Sequence, residues 1–160
     1  MLKELESMAS KLSETRAVLS RALDRLTEDQ AVKIMINPDW SVRDEVAHLV
    51  SSERGMTGMA KRFATNENPQ LPKDYNNDVY NARQIAKRKA MSFADVRAEL
   101  DTTRKDLLAF LETVTQQQLD YRGEHPIAGQ ISLKELLVVI YSHETTHCKE
   151  ILEKISESKH

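Results

Sequence analysis

Leucines recur every seven residues near the start of the chain, at Leu5, Leu12, Leu19 and Leu26, with Met8, Thr15 and Ala22 as an intermediate set. The pattern returns at Val42, Leu49, Met56 and Phe63, and again at Phe93, Leu100, Leu107 and Val114, joined by Val96 and Phe110. A final run holds Leu133, Leu136 and Ile140, then His143 and His147, then Ile151 and Ile155. Spacing that alternates three and four places one side chain per turn on a single face, so each run predicts an amphipathic helix with one buried stripe. Four such helices predict an all-α four-helix bundle.

The start signals agree with the stripes. Ser41, Ser92 and Ser132 stand before three of the runs, with Asp44, Asp95 and Glu135 three positions on, in the manner of a capping box. All four prolines and two of the four glycines fall in three breaks: Pro38; Pro69 with Pro72; and Gly123, Pro126 and Gly129. Between the second and third long helices the chain is too long for a tight hairpin and holds a shorter helical stretch over 77–90. A crossover is therefore expected, and the topology need not be up-down-up-down. Gly55 and Gly58 lie inside the second helix, where each costs up to about 1 kcal/mol relative to Ala. They mark either close approach of a neighbouring helix or space left for a ligand.

Composition narrows the class. Eight Gly and Pro residues in 160 are too few for many short strands joined by turns, which excludes a sandwich or barrel. No run of about 18 apolar residues is present to span a bilayer, and the first 25 residues are studded with Glu and Lys rather than an apolar signal core. The expectation is a single cytoplasmic domain over residues 1–160, with no membrane partner. Basic and acidic residues nearly balance, 23 against 25, so no electrostatic footprint for nucleic acid exists. Cys148, the lone cysteine, cannot form an internal disulfide and reads as a small buried thiol. The basic run Arg83, Lys87, Arg88 and Lys89 reads as a solvated helix face.

Chemistry enters with the histidines. His125 and His160 read as incidental, one beside Pro126 in a loop and the other at the last position. His143 and His147 are one helical turn apart within the apolar stripe, the spacing at which two imidazoles bind one metal ion. Two core histidines bonded to side chains or water would satisfy the same positions equally well. His48 lies on a flank of the second helix beside Glu45 and Ser52. In a bundle it completes a set of three nitrogen ligands drawn from two helices. Residues 143–147 also spell H-E-x-x-H, in which Glu144 would be a general base. The metzincin continuation fails at Glu150 and Glu153, which argues against a protease and leaves Glu144 as a candidate proton-transfer residue.

The segment from Trp40 to Leu49, reading W-S-V-R-D-E-V-A-H-L, followed by the H-x-x-x-H pair of the last helix, resembles the DinB superfamily of metal-binding four-helix bundles. Tyr80-Asn81-Ala82-Arg83, a basic helix and then Ser92-Phe93 extend the resemblance over nearly the whole chain. It implies an up-down-down-up bundle in which His48, His143 and His147 hold a divalent metal, zinc or nickel. It also implies thiol-dependent transferases that use low-molecular-weight thiols, such as the mycothiol maleylpyruvate isomerases, and hydrolase-like detoxifying proteins. Homodimers are the family-level expectation.

Three histidines leave a coordination position for water or substrate, the arrangement of a catalytic site. The first reading is a metal-dependent transferase that activates an external thiol for attack on a small electrophile, with Glu144 or Glu45 orienting a ligand or moving a proton. Hydrolysis of a small molecule by the same centre is the second. A non-catalytic interaction bundle stabilised by its metal is the third.

Overall fold

A computed structural model describes residues 1–68 and 71–158. Pro69, one of the expected breaks, and His160 lie outside the described residues. The long helices are α1 (Lys3–Leu23), α3 (Val42–Ala64), α5 (Phe93–Thr113) and α6 (Leu133–Glu157). Two shorter helices, α2 (Glu28–Lys33) and α4 (Asn77–Ala86), occupy the connections, and a 3-10 turn over Gln117–Asp120 precedes strands β1 (Arg122–His125) and β2 (Gly129–Ser132). All three serine caps form. Ser41 and Ser132 make reciprocal capping boxes with Asp44 and Glu135, and Ser92 accepts from the Asp95 amide. Each satisfies backbone donors that the first helical turn would otherwise leave open.

Side-chain pairs reveal the relative directions of the four long helices. Arg16 reaches the carbonyl of Leu100 and Arg104 that of Leu12, so α1 and α5 run antiparallel. Lys134 meets Glu4 and Arg16 meets Glu144, so α1 and α6 run parallel. Arg54 pairs with Glu99 and Lys61 with Asp106, which makes α3 and α5 parallel. His48 faces His143 and Glu45 meets His147, which makes α3 and α6 antiparallel. The order is up-down-down-up, and α4 lies in the crossover between the two parallel neighbours α3 and α5.

The connections differ from expectation in three places. A second helix, α2, follows α1 at once, started by a Thr27–Gln30 capping box too short to carry a stripe. The crossover helix stops at Ala86 rather than Ala90. There the Arg43 guanidinium donates to the carbonyls of Arg88, Lys89 and Met91, holding the next residues in turns. The break at Gly123, Pro126 and Gly129 is an antiparallel hairpin, Gly123 paired with Ile131 and His125 with Gly129. Gly129 turns back at φ +69°, a conformation open to glycine, and a Cβ on Gly123 would stand 2.0 Å from Cε1 of Phe63. Strands of four residues holding Glu, His and Gln carry no legible alternation.

The core is two apolar clusters stacked along the bundle. Leu12, Phe63, Leu107 and Leu136 belong to one, and Leu19, Val46, Leu100 and Ile151 to the other. Between them all four long helices contribute charge. Arg16 donates to Glu53 at 3.1 Å and to Glu144 at 2.9 Å, and Arg104 donates to Glu53 at 2.7 and 2.8 Å and also meets Glu144. Thr103 completes the layer by donating to Glu53. Two guanidinium groups face two carboxylates, so the buried layer is neutral.

Candidate metal centre

The antiparallel approach of α3 and α6 sets the site. Successive turns of α6 present His143 and His147 toward the turn of α3 that carries His48. His48 Nε2 lies 3.1 Å from His143 Nε2, and ring centroids stand 4.9 Å apart for His48 and His147 and 4.3 Å apart for His143 and His147. One nitrogen from each ring lies within 4.8 Å of the other two. Trp40 covers the outer face of His48 with ring centroids 5.0 Å apart, which ties the Trp-Ser-Val-Arg segment to the cluster. Ser52 Oγ sits 3.4 Å from the same ring.

Burial and crowding keep two of the rings neutral. His48 is driven down to about 3 by burial first and then by the proximity of His143 and His147. His143 is driven down to about 4 by burial, then by His147 and His125. Burial also disfavours a charged His147, but hydrogen bonding and attraction to Glu45, with Glu150 behind it, outweigh that and raise it. Glu45 is 1% exposed, its Oε1 stands against His147 Nδ1 as an ion pair, and neither of its oxygens makes a well-formed hydrogen bond among the described residues.

This donor set fits a divalent ion. Two nitrogens each about 2.0–2.1 Å from a tetrahedral zinc stand roughly 3.3 Å apart, close to the 3.1 Å between His48 and His143. Neutral imidazoles present lone pairs, and the Glu45 carboxylate on His147 Nδ1 turns Nε2 toward the cluster, the usual outer partner of a ligating histidine. A cation also gives the Glu45 carboxylate a compensating charge in a dry place.

A cavity of about 470 Å³ adjoins the cluster, bordered by His48 and His143. Met56, Met59 and Val139 supply apolar wall, Tyr75 and Tyr80 come from the crossover, and residues 125–128 of the hairpin complete the lining. No Asp, Glu, Lys or Arg side chain lines it among the described residues. Gly55 borders this space, and a Cβ there would meet only Tyr80 Oη at 3.6 Å, whereas Gly58 has nothing within 4 Å. The ligand-space expectation therefore fits Gly55, and nothing in the structure explains Gly58.

The other residues singled out in the sequence separate clearly. Glu144 is not brought to the three histidines: its carboxylate is consumed by Arg16 and Arg104 in the buried layer, and it does not border the cavity. Adjacent helix positions point about 100° apart, which carries Glu144 into the bundle while His143 faces α3. Glu45 takes the place beside the cluster instead. Cys148 is buried, with its thiol pushed up to about 11 by that burial. Arg83, Lys87 and Lys89 are exposed as expected, but Arg88 is buried and pairs with Glu99 at 2.5 Å. His125, read as incidental, is buried in the cavity wall. No sequence signal marked it, because the hairpin that places it was not legible.

Fold and cluster together define a four-helix bundle with a three-histidine centre between its second and last long helices. The chain belongs to the DinB superfamily, whose model matches residues 11–151. It is similar to YfiT from Bacillus subtilis, described as a probable metal-dependent hydrolase with an unusual four-helix bundle topology. That likeness has 24% identity and a TM-score of 0.82, covering 99% of this chain and 90% of that one. A candidate metal-dependent hydrolase of Oceanobacillus iheyensis is 24% identical over 157 residues, covering 94% of this chain and 80% of that protein. The mycothiol-dependent maleylpyruvate isomerase shares the fold at 12% identity and a TM-score of 0.78, over 92% of this chain and 60% of that one. No helix among the described residues is long and apolar enough to cross a membrane.

Proposed function

We propose that this chain is a metal-dependent enzyme that holds one divalent cation on His48, His143 and His147 and hydrolyses a small uncharged molecule bound in the adjoining cavity. The observation that carries this reading is the convergence of three ring nitrogens at the edge of that cavity, with a buried carboxylate behind one of them. The descriptions of the Bacillus and Oceanobacillus proteins point the same way. Imidazole ligands suit zinc, nickel, copper and iron alike, and zinc or nickel is the ion that the family resemblance implies.

When bound, a divalent cation supplies Lewis acidity, which polarises an electrophile and makes a neutral nucleophile acidic enough to react near pH 7. The protein contributes the rest. His48 and His143 stay unprotonated because the bundle desolvates them, so their lone pairs need no deprotonation. Glu45 pairs with His147 at Nδ1, orients that ring, and is the buried carboxylate beside the cluster that would take up a proton released at the centre. The apolar wall of Met56, Met59 and Val139 excludes water from the rest of the bound molecule.

The test uses protein purified without a histidine tag. Elemental analysis is expected to find close to one equivalent of metal, lost in His48→Ala, with hydrolysis of a panel of chromogenic esters falling to background in the same variant. Equal metal in both proteins would remove His48 from the site and refute the reading. Turnover that requires an added low-molecular-weight thiol would replace hydrolysis with thiol transfer at the same centre.

A further inference from the structure

His125 ends β1 at the mouth of the hairpin and is 9% exposed. Its Nδ1 accepts two backbone hydrogen bonds, from the Ile127 amide at 3.2 Å and the Ala128 amide at 3.1 Å. A nitrogen that accepts from two N–H groups carries no proton, so the ring is neutral and its proton sits on Nε2. The hairpin therefore sets the tautomer through main-chain geometry alone. Among the described residues Nε2 donates to no protein acceptor, yet the ring borders the same cavity as His48 and His143. The ring is buried but its Nε2 is not among the buried polar atoms left without a partner, so this N–H meets solvent in the cavity and an acceptor entering there can take the place of that water.

The rest of the wall defines what can enter. It offers hydroxyl and amide groups from Ser51, Ser52, Tyr75, Asn77, Tyr80 and Asn81 beside apolar surface, and among the described residues no Asp, Glu, Lys or Arg side chain to pair an anion or a cation. His125 and His143 border this cavity together, near enough that the first helps keep the second neutral.

We propose that His125 is a binding residue whose fixed Nε2–H donates to an oxygen of an uncharged, largely apolar substrate held in the cavity beside the three-histidine centre. This rests on the hydrolytic reading for the word substrate, but the binding it describes needs no metal. His125 then discriminates between oxygen-bearing molecules and hydrocarbons of the same shape.

The experiment uses the full chain, metal-free and zinc-loaded, with histidines labelled by nitrogen-15. The variant is His125→Asn, whose side-chain oxygen keeps the cap on the Ile127 and Ala128 amides and removes the Nε2 donor. The probes are acetophenone, its near-isostere α-methylstyrene, which lacks the acceptor, and benzoate. In metal-free protein the ring shifts are expected to report the Nε2–H tautomer. Acetophenone is expected to bind more tightly than α-methylstyrene by about 2- to 12-fold, the range of one ordinary hydrogen bond. Benzoate is expected to bind more weakly than acetophenone. In His125→Asn the preference for acetophenone falls to unity while the melting temperature and zinc stoichiometry stay at the wild-type values. An Nδ1–H tautomer, equal binding of the two neutral probes to wild type, a preference that survives in His125→Asn, or failure of both neutral probes to bind would each overturn the proposal. Zinc absent from the three histidines while the preference persists would refute the hydrolytic reading and leave this one standing.

Discussion

The buried charged layer makes a sharp prediction about Glu144. Glu144→Gln keeps the shape of the side chain and removes its charge, leaving Arg16 and Arg104 to share Glu53 alone. All four side chains are 5–7% exposed, so solvent does not screen the resulting net positive charge. Breaking a buried ion pair by removing one partner costs about 3–5 kcal/mol, because the other charge remains desolvated and uncompensated. For a chain of this size each kcal/mol shifts the melting temperature by about 2–4 °C, so a fall of roughly 6–20 °C is expected. Thermal and urea unfolding of metal-free protein measure it, and Arg16→Met with Glu144→Met supplies the control. That double variant restores neutrality, with Arg104 facing Glu53, and is expected to lose at least about 2 kcal/mol less than the sum of its single changes. A Glu144→Gln protein of unchanged stability, or strictly additive single and double variants, would refute the view of Glu144 as structural. Loss of turnover without loss of stability would return it to the chemistry.

Glu45→Gln is expected to weaken zinc binding by about 10- to 100-fold, the usual cost of removing an outer partner of a ligating histidine, as read by competition with a chromogenic chelator. Gly123→Ala drives a methyl group into the Phe63 ring and is expected to destabilise by about 1–3 kcal/mol, recovered in part by Phe63→Leu in urea titrations. The metal-free protein is expected to lose stability as pH falls from about 6.5 toward about 4. His48 and His143 stay neutral in the fold, at about 3 and about 4, while the unfolded chain takes up protons at the ordinary histidine value. Stability from these two rings is therefore lowest in acid and recovers as pH rises. A slope between pH 4 and 6.5 that is unchanged in His48→Leu would contradict it.

Heptad spacing, serine caps and the scarcity of Gly and Pro were sufficient for the four long helices, because a stripe and a cap are local properties of a helical backbone. They also marked His143 and His147 as neighbours, since four residues are one turn wherever the helix goes. Pairing His48 with them rested on its flank position in an assumed bundle and on family resemblance, and only the antiparallel packing of α3 on α6 brings the three rings together. The tertiary structure alone assigned the acidic residues. Glu144 and His143 are adjacent in the chain, yet 100° of rotation sends one to the core arginines and the other to α3, while Glu45 arrives beside His147 from another helix. His125 was illegible for a related reason. Its tautomer and its place in the cavity wall come from a hairpin of two four-residue strands whose pairing is a non-local fact, with Gly123 meeting Phe63, and not from any pattern along the chain.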